Sequence, residues 1–129
     1  ERESVHLSRN QATEHLGRVV YEALGKGAHQ QYYSEELEYC LKAKEADPLA
    51  KVDDGRSVLE CVLGNPNLIP SIKSRSAQLV CTAIQRVGKG LTDVEKDLLK
   101  EQQDLATDGS DRKRYAELLQ RMQKVRAAQ

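Results

Sequence analysis

Apolar side chains along this chain recur at spacings of three and four, with polar positions between them. This period is typical of amphipathic α-helices, whereas the strict alternation of half-buried strands is almost absent. The first such segment follows candidate N-caps at Ser8 and Asn10 and extends to about Leu24, where Gly25 and Gly27 end it. The pattern therefore predicts an all-α fold that opens with a long helix.

The middle of the chain predicts two helices separated by a loop. The second helix is expected to begin at the N-cap Ser34 and to stop at Asp47, because the residue before a proline is disfavoured in the helical region. The stretch 48–55 is polar and predicts a surface loop. A short third helix over residues 58–63 is strongly apolar, so we expect it at the centre of the fold.

Three further helices complete the prediction. The fourth covers residues 71–87 and ends before two glycines. Thr92 and Glu95 have the spacing of a capping box, which predicts the start of the fifth helix. A turn at 107–110 leads to the last helix. The sequence thus predicts a compact bundle of about six helices that forms one domain over residues 1–129.

Composition and charge narrow the function classes. Charged residues make up 31% of the chain and the formal net charge is zero, which argues against electrostatic binding to bulk nucleic acid or to an anionic membrane. No apolar run is long enough to span a bilayer, and residues 1–4 are polar where a signal peptide would begin its apolar region. We therefore expect a cytoplasmic protein with no membrane span.

The three cysteines are expected to be core residues. Cys40, Cys61 and Cys81 lie on predicted apolar faces and include no CxxC pair, as in proteins of a reducing compartment. A zinc site would require these thiols to meet a histidine, and no close ligand pair predicts one. The candidate histidines are His6, His15 and His29.

Catalytic constellations are missing from the sequence. The Gly-Lys-Gly triplets at 25–27 and 88–90 follow helices and lack the frame of a phosphate-binding loop. Adjacent carboxylates such as Glu35 and Glu36 fall at a helix start in a solvated segment, where general acid–base chemistry is not expected. The sequence therefore predicts a non-catalytic chain with no metal and no cofactor.

Two segments carry unbalanced charge. Residues 34–54 hold seven acidic and three basic residues, and residues 110–129 hold six basic and two acidic residues. Each could be an ordinary solvated face. Alternatively, the first segment, the acidic block, docks a basic or amphipathic segment of a partner protein. The acidic residues of this candidate site are Glu35, Glu36, Glu38, Asp47, Asp53 and Asp54.

The basic segment could instead contact an acidic partner or RNA. Within it, Tyr115 is the only aromatic residue on which a base could stack, and no RNA-binding motif accompanies it. We therefore do not expect a nucleic-acid partner.

Tyrosines lead to an alternative function. Tyr32, Tyr33 and Tyr39 could anchor an apolar face in an oligomer or larger complex, because tyrosine is enriched at protein interfaces. The same residues could equally fill the core of a chain that has no Phe and no Trp. The alternative is thus a structural or assembly domain.

Several segments resemble a known family of helical modules. They are LGRVVYEAL at 16–24, ELEYCL at 36–41, RSVLEC at 56–61 and SAQLVCTAI at 76–84. Over about residues 12–87 the chain resembles the KIND domain, a non-catalytic module similar to the C-lobe of protein kinases, found in Spir actin nucleators and in some scaffold proteins.

The resemblance implies an interaction domain that docks a short basic segment of another cytoskeletal protein on an acidic surface. The catalytic triplets HRD and DFG are absent, so a kinase-like ancestry would imply no phosphoryl transfer. The chain from about residue 90 onward has no counterpart in the family.

Overall fold

A computed structural model describes residues 8–22, 30–52 and 54–127, which form a bundle of six helices. The helices are α1 (Arg9–Glu22), α2 (Gln30–Glu38), α3 (Val58–Leu63), α4 (Pro70–Arg86), α5 (Asp93–Leu105) and α6 (Gly109–Ala127). α2 continues directly into a π-helical segment, Tyr39–Ala43. Among the described residues, extended pairing is limited to one isolated bridge between Lys51 and Ser57. The prediction of a compact all-α bundle is confirmed.

α3 lies at the centre of the bundle, as its apolar sequence predicts. It contacts α1, α4 and α5, and Leu59, Cys61, Val62 and Leu63 are fully buried. The apolar cluster around it includes residues from all six helices. Burying one Leu or Val side chain stabilises a fold by about 1.5–3 kcal/mol, so the apolar cluster around α3 holds the bundle together.

Side-chain caps fix the starts of α1, α3 and α5. The predicted capping box at Thr92 and Glu95 is present: the Thr92 hydroxyl accepts a hydrogen bond from the Glu95 N–H at 3.1 Å, and the Glu95 carboxylate accepts one from the Thr92 N–H at 2.9 Å. Ser57 and Glu60 form the same motif at the start of α3. Of the two predicted caps of α1, Ser8 is the one used, since its hydroxyl accepts the Gln11 N–H at 3.1 Å.

The predicted start of α2 is wrong. The helix begins at Gln30, so Ser34 lies inside it and is not its N-cap. Tyr33 and Leu37 are buried four residues apart on the inner face. Burial of Tyr33 extends the helix past the local capping signal, because tertiary packing outweighs a cap preference of about 1 kcal/mol.

The predicted end of the second helix, at Asp47, is also wrong. The π-helical segment ends at Ala43, and Glu45 adopts a left-handed backbone with φ of 53°. The Ala46 N–H then donates to the Cys40 carbonyl at 2.8 Å, which satisfies one of the open carbonyls at the helix end. The turn therefore forms before the proline can stop the helix.

The loop residues 44–52 are anchored to α1. The Arg9 guanidinium donates to the Glu45 carbonyl at 2.9 Å, and the Thr13 hydroxyl accepts the Asp47 N–H at 2.8 Å. Lys51 and Asp54 are exposed, as the predicted surface loop requires, whereas Pro48 and Val52 are buried. These contacts place residues 50–52 alongside α1.

Candidate functional site

The acidic block is divided between α2 and the loop that follows. The candidate site carboxylates on α2 are Glu35, Glu36 and Glu38, and those on the described loop are Asp47 and Asp54. Asp53 lies outside the described residues. The sequence predicted the division between helix and loop, but it could not show which partners these carboxylates have.

Glu36 is engaged by α1. Its Oε1 lies 2.7 Å from Nε2 of His15, and both side chains are partly buried. The two residues are 21 positions apart in the chain, and their contact holds α2 against α1. His15 therefore has a structural partner, which accords with a structural role for this histidine.

The two loop carboxylates are used locally. The Asp47 carboxylate accepts a hydrogen bond from the N–H of Leu49 at 2.9 Å, which forms an Asx turn. Asp54 accepts two hydrogen bonds from the Arg56 guanidinium, at 2.6 and 2.8 Å. These hydrogen bonds lower the pKa of the Asp54 carboxyl below its ordinary value. Both groups already stabilise the loop.

The outward side of α2 combines aromatic and acidic groups. We define the α2 outer face as Tyr32, Glu35 and Glu38 of α2 together with Tyr39, the first residue of the π-helical segment. Glu35 is three residues from Tyr32, three from Glu38 and four from Tyr39, and these spacings keep the four residues on one side of the helix. Tyr32 is 55% exposed and Tyr39 is 37% exposed, and both carboxylates are exposed. Lys42 lies 3.5 Å from Glu38, with both side chains more than half exposed. This face is where the predicted acidic and aromatic candidates meet.

Tyr33 belongs to the core. It is 1% exposed, and its hydroxyl has no hydrogen-bond partner among the described residues. Burial raises the pKa of this phenol well above its ordinary value of 10.0. Of the two interpretations of the tyrosines, core filling describes Tyr33, and surface exposure is found at Tyr32 and Tyr39.

Three arginines of the basic last helix bind other parts of the chain, and one of them, Arg121, donates to the Thr82 hydroxyl of α4 at 3.0 Å. Arg114 donates to the Ser74 hydroxyl at 2.7 Å and lies 3.3 Å from the buried Asp111 carboxylate. Arg112 donates to the Ala106 carbonyl at 2.8 Å. These contacts attach α6 to α4 and to the end of α5. Part of the excess of basic residues in this helix therefore has a structural role.

The three thiols are buried, as the sequence predicts. Cys40, Cys61 and Cys81 are 0% exposed. Burial raises the pKa of Cys40 and Cys61 to about 11 and that of Cys81 to about 12. A nucleophilic cysteine needs the opposite shift toward the thiolate, so these residues lack the environment of a reactive thiol.

A groove that the sequence does not predict runs between α1 and the loop. It encloses about 630 Å³. Its lining residues are Thr13, Glu14, Gly17, Arg18, Tyr21, Ala50, Lys51 and Val52. The exposed positions 14, 18 and 21 recur at spacings of four and three, which could have indicated one outward stripe of α1, but its partner across the groove depends on the loop.

Metal and membrane sites are not found in the described residues. No three His, Cys, Asp or Glu side chains among them converge on a position that could hold a metal ion. His6 and His29, two of the candidate zinc ligands, lie outside the described ranges. Within residues 8–22, 30–52 and 54–127, no helix is both long and apolar enough to cross a membrane.

Comparisons with protein-family models, curated proteins and solved structures find no match to this chain.

Proposed function

We propose that this chain is a cytoplasmic, non-catalytic protein-docking domain, and that the α2 outer face receives a basic or amphipathic segment of a partner protein. The observation that carries the proposal is the combination on this face of two partly exposed tyrosines with Glu35 and Glu38. Tyrosine offers an apolar body with a polar tip, and its ring attracts a Lys or Arg side chain. Carboxylates beside the rings add charge complementarity.

The face can exchange its internal ion pair for a partner. Glu38 and Lys42 are 3.5 Å apart and well exposed, and such surface pairs contribute about 0–1 kcal/mol. Replacing Lys42 by an arginine of a partner therefore costs little. Glu36 is partly buried against His15, and Asp47 and Asp54 bind within the loop, so these three carboxylates are not part of the α2 outer face.

The KIND resemblance is in line with this proposal, since those modules dock short basic segments of cytoskeletal proteins. On this basis we expect the partner to be a scaffold or cytoskeletal protein. The burial of all three thiols also argues against a cysteine nucleophile.

The experiment is a selection from a random peptide library displayed on phage, followed by affinity measurement with the selected peptides. Wild type is compared with the double variant Glu35→Lys and Glu38→Lys. The control is Asp97→Lys with Asp104→Lys, which makes the same change in net charge on exposed positions of α5. Thermal unfolding verifies that all three proteins are folded.

We expect selected peptides rich in Lys and Arg, whose affinity falls about tenfold or more in the α2 variant and is unchanged in the α5 control. Raising the salt from about 0.05 to about 0.5 M should weaken binding, because exposed charges are screened. Equal binding to wild type and the α2 variant, or selected peptides without basic residues, contradicts the proposal.

A second candidate function is an assembly domain. A patch around Leu105 is a better candidate for its interface than the tyrosines. Leu105 is 64% exposed at the end of α5 and borders a cavity of about 160 Å³ whose lining includes Leu68, Pro70 and Tyr115. Exposed large apolar side chains beside a cavity favour a protein contact. If this patch mediates assembly, sedimentation will show a concentration-dependent oligomer that Leu105→Lys dissociates, whereas the docking proposal expects a monomer.

A further inference from the structure

The loop segment beside α1 presents an open backbone edge. Lys51 and Ser57 form an antiparallel bridge, and the Val52 N–H donates to the Arg56 carbonyl at 2.8 Å. In an antiparallel ladder, hydrogen-bonded and non-hydrogen-bonded pairs alternate, so the bond from Val52 to Arg56 makes Lys51 and Ser57 a non-hydrogen-bonded pair. The N–H and C=O of Lys51 therefore point away from Ser57.

These two backbone groups are available for pairing. Within the described residues, neither the N–H nor the C=O of Lys51 has a hydrogen-bond partner. Lys51 is exposed and lines the groove against α1. An open strand edge is a template for an added strand, because each unpaired backbone group gains a partner when another chain lies beside it.

α1 provides the floor beneath this edge. A β-carbon at Gly17 would lie 3.9 Å from Cγ1 of Val52, so the Val52 side chain faces α1 at the one position where the helix has no side chain. The stripe of Glu14, Arg18 and Tyr21 extends the floor along the groove. An extended chain in the groove would have the Lys51 backbone on one side and this stripe below it.

The charges of the lining residues favour one kind of extended segment in this groove. Arg18 and Lys51 contribute two positive charges to the lining and Glu14 contributes one negative charge. Tyr21 is partly exposed and offers an apolar surface for a neighbouring side chain. The lining therefore favours an extended segment that carries a carboxylate, unlike the basic segment proposed for the α2 outer face.

We propose that the groove between α1 and residues 50–52 binds an extended acidic segment of a partner protein by strand addition to the Lys51 edge. Main-chain hydrogen bonds to Lys51 supply the part of the affinity that does not depend on the sequence of the bound segment. A carboxylate placed near Arg18 supplies the selectivity. The site is separate from the α2 outer face and does not rest on the function proposed for it. Together the two sites would connect partners of opposite charge.

The test uses synthetic peptides of one sequence, alternating Thr and Val, that differ only at a central position occupied by Glu, Ala or Lys. Affinity is measured by fluorescence anisotropy, and hydrogen exchange of the Lys51 amide is followed by NMR. The Glu peptide is expected to bind most tightly and to slow exchange at Lys51, because the amide becomes hydrogen-bonded.

Arg18→Glu should weaken the Glu peptide about tenfold, whereas Arg75→Glu, a matched change at an exposed position of α4, should have no effect. The α2 variant Glu35→Lys with Glu38→Lys should also bind the Glu peptide as wild type does. The proposal is overturned if no peptide binds at millimolar concentration, if the Lys peptide binds as well as the Glu peptide, or if exchange at Lys51 is unchanged in the complex.

Discussion

The hydroxyl of Ser57 donates a 2.7 Å hydrogen bond to the buried carboxylate of Glu95, thirty-eight residues away. Each residue is also part of a capping box, Ser57 at the start of α3 and Glu95 at the start of α5. One carboxylate thus satisfies the Thr92 N–H with Oε1 and the Ser57 hydroxyl with Oε2. This hydrogen bond joins the two capping boxes across the bundle. The start of the central helix α3 therefore depends on a residue that also caps α5.

Removal of this carboxylate should destabilise the fold more than an ordinary cap deletion. For Glu95→Ala we expect a loss of about 2–3 kcal/mol in the free energy of unfolding, because a cap is lost and a buried hydroxyl loses its acceptor. Urea unfolding measures the change. Glu101→Ala, at an exposed position of the same helix, is the control and should change stability by less than about 0.5 kcal/mol.

The coupling between the two caps can be measured separately. In a double-mutant cycle, Ser57→Ala and Glu95→Ala should be non-additive by about 0.5 kcal/mol or more, as for residues in direct contact. Additive effects would mean that the two capping boxes act independently.

Removing the Tyr33 hydroxyl should not destabilise the protein. This hydroxyl is buried without a hydrogen-bond partner in the described part of the chain, and an unsatisfied buried polar group costs about 1–3 kcal/mol. Tyr33→Phe should therefore unfold at an equal or higher urea concentration than wild type. Tyr33→Ala should lose about 3–5 kcal/mol by cavity formation. A marked loss of stability in Tyr33→Phe would indicate that the hydroxyl has a partner.

Asp111 should be essential to the attachment of α6 to α4. Its buried carboxylate accepts the Ser74 hydroxyl at 2.9 Å and lies 3.3 Å from the Arg114 guanidinium. Asp111→Ala leaves both groups without this acceptor, so we expect a loss of about 1–3 kcal/mol in unfolding free energy. Asp104→Ala, at an exposed position of α5, provides the comparison. Equal effects of the two substitutions would show that the buried cluster contributes nothing specific.

Stability should fall in alkaline solution. The Cys81 thiol has a pKa of about 12 in the folded chain against an ordinary value of 9.0, so above about pH 9 the unfolded state releases a proton that the folded state keeps. The folded state is then disfavoured increasingly with pH between 9 and 12, and Cys40 and Cys61 act in the same direction up to about 11. Urea unfolding at about pH 8 and about pH 10.5 should show the difference.

The same burial predicts slow reaction of the thiols. A disulfide reagent at about pH 8 should label Cys40, Cys61 and Cys81 at the rate of unfolding and completely in urea. Rapid labelling of a folded thiol would contradict both this prediction and the cause given for the alkaline loss of stability.

Local signals in the sequence predicted most of the fold. The capping box at Thr92 and the apolar run of α3 involve residues three or four positions apart, where spacing alone fixes the interaction. The start of α2 was missed because Tyr33 is buried against residues remote in sequence, and its packing outweighs the cap signal of Ser34. Helix bounds set by tertiary contacts are not encoded in the local pattern.

The candidate sites depend still more on remote contacts. Charge counting identified the acidic block, but it could not show that Glu36 lies against His15 or that Arg114 lies against Ser74. The groove is likewise formed by Gly17 and Val52, which are distant in the chain and carry no recognisable motif. Whether a charged residue already has a partner within the chain is a property of the fold and cannot be read from charge counts.

The π-helical segment Tyr39–Ala43 joins α2 to the loop that is anchored on α1. A π turn holds more residues than an α turn, so the chain leaves this segment at a different residue from a continuous α-helix of the same length. Removing one residue here would shift by one position either the buried Tyr33 and Leu37 of α2 or the loop contacts with Arg9 and Thr13. The wider turn therefore lets the core face of α2 and the anchored loop keep their contacts at the same time.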